Sequence, residues 1–152
     1  MSAIKINLIL FGIGNVGSAL INQVIQQQKS LLQEKNIELV FAIITNSTLA
    51  FFEREGQKNR WDADFTKSPA PFTIQNLIDY AKEAELENLI AIDATTSAEI
   101  INSYDLLLQN NFDILSVNSN STLQEPEVTP ENLINQILQI ATLYVAQKRQ
   151  IA

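Results

Sequence analysis

The chain has 152 residues, 46% of them hydrophobic, with a formal net charge of −7 and neither cysteine nor histidine. That composition fits one soluble globular domain with a real core, and it excludes disulfides, thiolate nucleophiles, the usual zinc sites and any Ser-His-Asp triad. The 10 basic residues form no stripe against 17 acidic ones, which argues against a nucleic-acid surface.

Taken in order, the chain opens on an apolar run from Ile4 to Phe11. It is too short to span a bilayer and no basic leader precedes it, so a cytoplasmic protein with no membrane partner is expected. The run meets Gly12-Ile13-Gly14-Asn15-Val16-Gly17, a G-x-G-x-x-G turn between a strand and a helical pattern. In such a turn Gly12 takes the sharp reversal, Gly14 lets a ligand approach the backbone and Gly17 lets the helix lie close on the sheet. The N–H groups at the helix start, with the positive end of its dipole, form a pyrophosphate site. Dinucleotide binding is the leading reading, with a glycine turn that serves packing alone as the alternative. Val16, Leu20 and Val24 with Ile21 and Ile25 give the helix a buried stripe from near Asn15 to Leu32 or Lys35, while Asn22, Gln23, Gln26, Gln27 and Gln28 face out. Ile37 to Thr45 is β-branched and continuous enough for a strand buried on both faces.

Between Asn46 and Phe72 the pattern breaks at Gly56, Pro69 and Pro71. A short helix from Thr48 to Glu55, closed by Gly56, is expected there, with Trp61 pinning the remainder to the surface. Thr73 is an N-cap with Phe72 and Leu77 placed as a hydrophobic staple, and Ile74, Leu77, Ile78 and Ala81 form the inner face of its helix. Leu89 to Asp93 is a third strand. Thr96-Ser97-Ala98-Glu99 reads as a capping box for a helix with Ile100, Ile101, Tyr104, Leu107 and Leu108 inside. Phe112 to Val117 is a fourth strand. The last helix has Thr129 as cap, Pro130 at its first position, Glu131 in its first turn and Lys148 and Arg149 in its last, over a core stripe of Leu133, Ile134, Ile137, Leu138, Ala141, Tyr144 and Val145.

Right-handed crossovers then predict an α/β, Rossmann-like three-layer α/β/α domain over residues 1–152, with a parallel sheet of about four strands in the order 2-1-3-4 and helices on both faces. The crevice lies between the first and third strands, walled by the Gly12 to Gly17 turn and the Asp93 to Ser97 turn.

These turns carry a resemblance. Leu10 to Leu20, the Ala42 to Ser47 end of the second strand, Asp93-Ala94-Thr95-Thr96-Ser97, and the segment from Tyr104 through Phe112 to Asn118 resemble, in order and spacing, the nicotinamide-binding domain of homoserine dehydrogenase, particularly the form fused to aspartokinase. The resemblance implies an oxidoreductase of the aspartate pathway that interconverts aspartate semialdehyde and homoserine. Carried over by position, it implies that Gly12, Ile13, Gly14, Asn15 and Val16 hold the pyrophosphate and that Asn46 and Ser47 lie by the adenosine ribose. Thr95 and Thr96 would border the cofactor's middle, and Asn118 would sit near the nicotinamide. Two departures stand beside these matches. Ser119 occupies the position where the family has a lysine, and the family's substrate-binding and dimer-forming domain has no counterpart in the sequence. A cofactor-binding domain inactive by itself is therefore expected, with no catalytic or metal-binding residue assigned. A non-catalytic nucleotide-sensing or interaction module is the alternative, alone as a homodimer or with an aspartokinase or dehydrogenase chain.

The residues leave further readings open. Thr45-Asn46-Ser47-Thr48 contains no acid to grip the ribose hydroxyls of NAD, which favours NADP over NAD, although no arginine stands beside it and Arg54 falls in the broken stretch. The same lack weighs against a methyltransferase that uses the glycine turn for S-adenosylmethionine. Asp93 reads as a structural acid that ends a strand, since a lone carboxylate with no nearby base does no obvious chemistry. Of Thr95, Thr96 and Ser97, at least one is a helix cap.

Overall fold

The run Ile4–Phe11 forms the central strand β1 in a computed structural model that describes residues 3–46, 49–52, 70–71, 73–121 and 127–151. Its side chains divide by parity: Ile6, Leu8 and Leu10 enter one core, Ile9 and Phe11 the other. A strand that is apolar on both faces needs helices on both. Helices α1 (Asn15–Lys35) and α4 (Leu133–Ile151) cover the first face, α2 (Ile74–Glu83) and α3 (Tyr104–Gln109) the second. The stripes read from helical spacing are the ones that pack, including Leu20, Ile21 and Val24 on α1 and Leu133, Ile134, Ile137 and Ala141 on α4.

Strand β1 pairs in parallel with β2 (Ile37–Thr45) on one side and with β5 (Leu89–Asp93) on the other, and β6 (Phe112–Ser116) continues the sheet beyond β5. This is the parallel order 2-1-3-4. Two short strands, β3 (Leu49–Phe52) and β4 (Ala70–Pro71), extend it antiparallel at the β2 edge, giving β4-β3-β2-β1-β5-β6. The expected helix from Thr48 to Glu55 is thereby corrected at Leu49–Phe52. Too few residues separate Thr45 from Leu49 for a crossover, so the chain can only turn back along the open edge of β2, and Phe51 and Phe52 favour a strand. The Gly56 closure, Trp61 and the Phe72 staple lie outside the described residues.

A bulge in β2 carried no signal in the hydrophobic pattern: Leu8 pairs with Phe41 but Ile9 with Ile43, and Ala42 and Ile43 join the same core. The caps at Thr73 and Thr129 are built with asparagine. Thr73 Oγ1 accepts from Asn76 N–H at 3.1 Å while Asn76 Oδ1 accepts from Thr73 N–H at 3.1 Å. Thr129 and Asn132 exchange the same pair of bonds, at 3.2 and 2.8 Å, one turn ahead of α4.

The capping box at Thr96 is the second correction. A single 3-10 turn, Ile100–Ser103, precedes α3, and Leu108 is 47% exposed rather than on the inner face. The cause is local: Thr95 Oγ1 accepts from Ser97 N–H at 3.2 Å and Ser97 Oγ accepts from Glu99 N–H at 3.2 Å. These side-chain turns engage the backbone groups that a helix start at Thr96 would have used.

Candidate functional site at the carboxyl edge of the sheet

Four parallel strands end on one register row, in which Thr45 pairs with Phe11, Phe11 with Asp93 and Asp93 with Ser116. The ladder runs one step further through Gly12 N–H to Thr45 O at 2.9 Å, Ala94 N–H to Phe11 O at 2.8 Å and Val117 N–H to Asp93 O at 3.0 Å. Asn46, Gly12, Ala94 and Val117 therefore leave the sheet side by side, which brings the predicted site residues to one edge.

The glycine turn divides its tasks by steric need. Gly12 has φ +97°, and a Cβ there would lie 2.8 Å from the Ala94 carbonyl oxygen, so the β1 and β5 turns touch through it. A Cβ on Gly14 would meet nothing within 4 Å. Gly14 is the N-cap of α1, with no side-chain hydrogen bond to cap the helix and no acid in its first turn. The first helical bond runs from Ser18 N–H to Gly14 O at 2.9 Å, so the N–H groups of Asn15, Val16 and Gly17 precede it. Ser18 Oγ donates to Ile13 O at 3.1 Å and fixes the loop between the glycines. Helix α2 caps its own start with Thr73, and Thr129 caps the turn that leads into α4. Helix α1 instead presents its donors beside open space.

At the ends of β5 and β6 lies a buried polar cluster centred on Asp93, which is 1% exposed. Asp93 Oδ1 accepts from Thr95 N–H at 2.9 Å and from Thr95 Oγ1 at 2.7 Å, and Oδ2 accepts from the Tyr104 hydroxyl at 2.5 Å and Asn118 Nδ2 at 3.0 Å. Four donors match the acceptor capacity of an ionised carboxylate. The structural reading of Asp93 is the one this geometry carries. Burial, then the bond to Asp93, push the Tyr104 phenol well above its ordinary range.

The cluster also decides which way the predicted site residues turn. The Thr95 hydroxyl points inward to Asp93 and accepts from Asn118 Nδ2 at 3.2 Å. Asn118 is buried; its Nδ2 also donates to Ser97 O at 2.8 Å, and its Oδ1 accepts from Asn120 N–H at 3.0 Å. Asn120 Nδ2 reaches Thr96 O at 3.1 Å. Thr96 and Ser119 are exposed, Asn46 is half-buried directly after Thr45, and Ser47 lies outside the described residues. Sequence reasoning placed Tyr104 in the apolar stripe of its helix and gave Ser116 and Asn120 no role. A tyrosine in such a stripe needs a partner for its hydroxyl, and a buried aspartate needs donors; the two needs together were the available signal.

Among the described residues no group of three or more His, Cys, Asp or Glu could hold a metal ion, and no helix is long and apolar enough to cross a membrane.

Comparison with known proteins gives consistent matches. The family model described as the homoserine dehydrogenase NAD binding domain matches residues 12–141. The bifunctional aspartokinase/homoserine dehydrogenase of Buchnera aphidicola is 31% identical over 121 residues, which are 79% of this chain and 15% of that protein. The chain thus spans a small part of the length of the curated relatives it matches. Among solved structures, a Candida auris protein of unknown function has a TM-score of 0.60 at 19% identity, covering 88% of this chain and 35% of that one. A hyperthermophilic archaeal homoserine dehydrogenase mutant in complex with NADPH has a TM-score of 0.56 at 16% identity, covering 91% and 41%. At these identities the structures share the fold.

Proposed function

The chain belongs to the family of homoserine dehydrogenase NAD-binding domains, and from that premise we propose that it binds a nicotinamide dinucleotide across the carboxyl edge of β1 and β5. The observation that carries this reading is the start of α1: three N–H groups precede the first helical bond, no side chain caps them, and the space over Gly14 is open. A pyrophosphate supplies the acceptors and the negative charge that such a helix end favours. Gly12, Ile13, Gly14, Asn15 and Val16 hold it. Asn46 and Ser47 take the adenosine ribose, Thr95 and Thr96 border the middle of the ligand, and Asn118 borders the nicotinamide. With their polar groups engaged inward, Thr95 and Asn118 contribute shape and position rather than fresh hydrogen bonds. NADP is preferred to NAD, because Asn46 stands at the strand end where an acid would grip the ribose diol.

The bound dinucleotide supplies a hydride donor or acceptor at its nicotinamide ring. The chain's own residues bind and orient it, and they do not complete a catalytic site. Ser119, exposed in the turn after Asn118, cannot offer the positive charge of the family's lysine, and losing one such contact in an enclosed polar site costs several kcal/mol of barrier. The domain by itself therefore does not oxidise homoserine or reduce aspartate semialdehyde. Ser119 also favours a second reading, a non-catalytic nucleotide-sensing or interaction module that keeps the fold.

Thermal unfolding with NADPH, NADH and S-adenosylmethionine tests the binding. A ligand at a hundredfold over its dissociation constant adds about 2.7 kcal/mol of stability, and the largest shift is expected with NADPH. No shift with either dinucleotide overturns the reading. Homoserine turnover by the purified chain overturns the statement on activity.

A further inference from the structure

We propose that Tyr104, acting through Asp93 and Ser116, is a positioning residue that holds the Thr95–Ser97 and Asn118–Asn120 turns as one preformed wall for the nicotinamide half of the dinucleotide. The inference rests on the binding reading above and adds to it a residue that touches no ligand. Tyr104 is 5% exposed and belongs to the core on the α2 and α3 face, yet its hydroxyl lies 2.5 Å from Asp93 Oδ2 and 2.8 Å from Ser116 Oγ.

The direction of this chain of bonds follows from donor capacity. An ionised carboxylate only accepts, so the single phenolic proton points at Asp93, and the Ser116 hydroxyl donates to the phenol oxygen. Ser116 Oγ in turn accepts from Asn118 N–H at 3.1 Å. The bonds therefore run from the backbone of the β6 turn through Ser116 and Tyr104 to Asp93, and Asp93 takes both the backbone and the side chain of Thr95 in the β5 turn. Asn118 closes the loop by spanning from Asp93 Oδ2 to Ser97 O. Both turns are thus fixed to each other and to α3 by one carboxylate. Hydrogen-bonded groups in such a closed set polarise one another and rigidify what they join.

A phenylalanine at position 104 keeps the ring in the core and removes one of the four donors to Asp93. Ser116 and Asn118 are then free to pair differently, and the wall loosens. A role confined to stability would lower affinity for every ligand alike. A positioning role spares the adenosine half, which lies over Gly12 to Val16 and Asn46, on the other side of the Gly12–Ala94 contact.

The test uses the full chain, calorimetric titration, and two probe pairs: NADPH against adenosine 2′,5′-bisphosphate, and NADH against ADP. In the Tyr104→Phe variant, affinity for the dinucleotide that binds the wild type falls by about tenfold, the factor that a loss of 1.4 kcal/mol produces, while affinity for its adenosine-only counterpart changes by less than about twofold. The emission of the bound reduced nicotinamide moves towards that of the free cofactor. Ser116→Ala, which keeps the bond between Tyr104 and Asp93, moves the same ratio in the same direction and carries the comparison if Tyr104→Phe does not fold. An equal loss on both members of a pair, or no loss on either, overturns the inference and leaves the binding reading standing. Wild-type protein that binds none of the four probes overturns both.

Discussion

A Cβ on Gly17 would stand 2.0 Å from the carbonyl oxygen of Gly12. Helix α1 and the turn that precedes it are in contact through bare backbone, and Gly17 is needed for packing whether or not a ligand is present. Gly17→Ala must displace backbone rather than a flexible side chain, so it is expected to lower the unfolding free energy by about 1–3 kcal/mol. Urea unfolding with an unchanged slope and an earlier midpoint is the expected result. A wild-type midpoint would show that the turn yields without strain.

Gly14 behaves oppositely. Its φ of −72° is open to any residue and nothing lies within 4 Å of its added Cβ. Gly14→Val is therefore expected to fold, at a cost of about 1 kcal/mol or less for a poorer N-cap, while its side chain fills the space over the helix start and abolishes the NADPH-induced melting shift. A shift that survives in Gly14→Val places the ligand elsewhere.

The contrast between these two glycines shows what was legible in the chain. The spacing of Gly12, Gly14 and Gly17 between an apolar run and a helical stripe was enough for the fold and for the sheet edge at which the turns meet, because Gly12 and Gly17 stand where a Cβ does not fit and Gly14 leaves the helix start bare. The strand order followed from crossover handedness, and the caps at Thr73 and Thr129 from their position before apolar stripes. The strand Leu49–Phe52 was not legible, since it forms only because β2 leaves an edge open, which is a tertiary fact. The start of α3 was misread because two hydroxyls, Thr95 and Ser97, compete for the same backbone donors. Tyr104 occupies a core position by helical spacing, and only the packing of α3 on the sheet brings its hydroxyl to Asp93 at the end of β5.

Asp93 is surrounded by four donors with no cation among them, so its removal strands those donors rather than an ion pair. Each buried group left without a partner costs about 1–3 kcal/mol. Asp93→Ala is expected to lose roughly 3 kcal/mol or more in chemical denaturation, with Asp93→Asn in between because it keeps one acceptor oxygen. A loss below that of an ordinary surface substitution would mean that the donors find water and that the cluster is not closed.

The two threonine caps stand at helices on opposite faces of the sheet and share no partner. Thr73→Ala and Thr129→Ala are each expected to cost about 1 kcal/mol, since each removes the hydroxyl that accepts from the N–H of Asn76 or Asn132 and leaves only the return bond from its own N–H to the asparagine oxygen. The double variant is expected to equal the sum of the two, within the error usual for independent sites. A sum that fails would indicate coupling between the two helix layers through the sheet.

Alkaline pH acts on the two tyrosines whose hydroxyls bond carboxylates. Tyr144 of α4 donates to Asp113 Oδ2 of β6, and burial, then that bond, raise its phenol above the ordinary range, as burial and Asp93 raise that of Tyr104. The sign follows from proton counting. Below pH about 10, the value of an unfolded tyrosine, both states carry the proton and the full contribution to stability is present. Above it the unfolded chain releases protons that the folded chain keeps, so the unfolded state binds fewer and stability falls with rising pH. The absorbance of tyrosinate and the far-ultraviolet circular dichroism are expected to change together for these two residues, with Tyr104→Phe and Tyr144→Phe each removing part of the ionisation step coupled to unfolding. Ionisation of both phenols near pH 10 with the dichroism intact would contradict the hydrogen bonds that join α3 to β5 and α4 to β6.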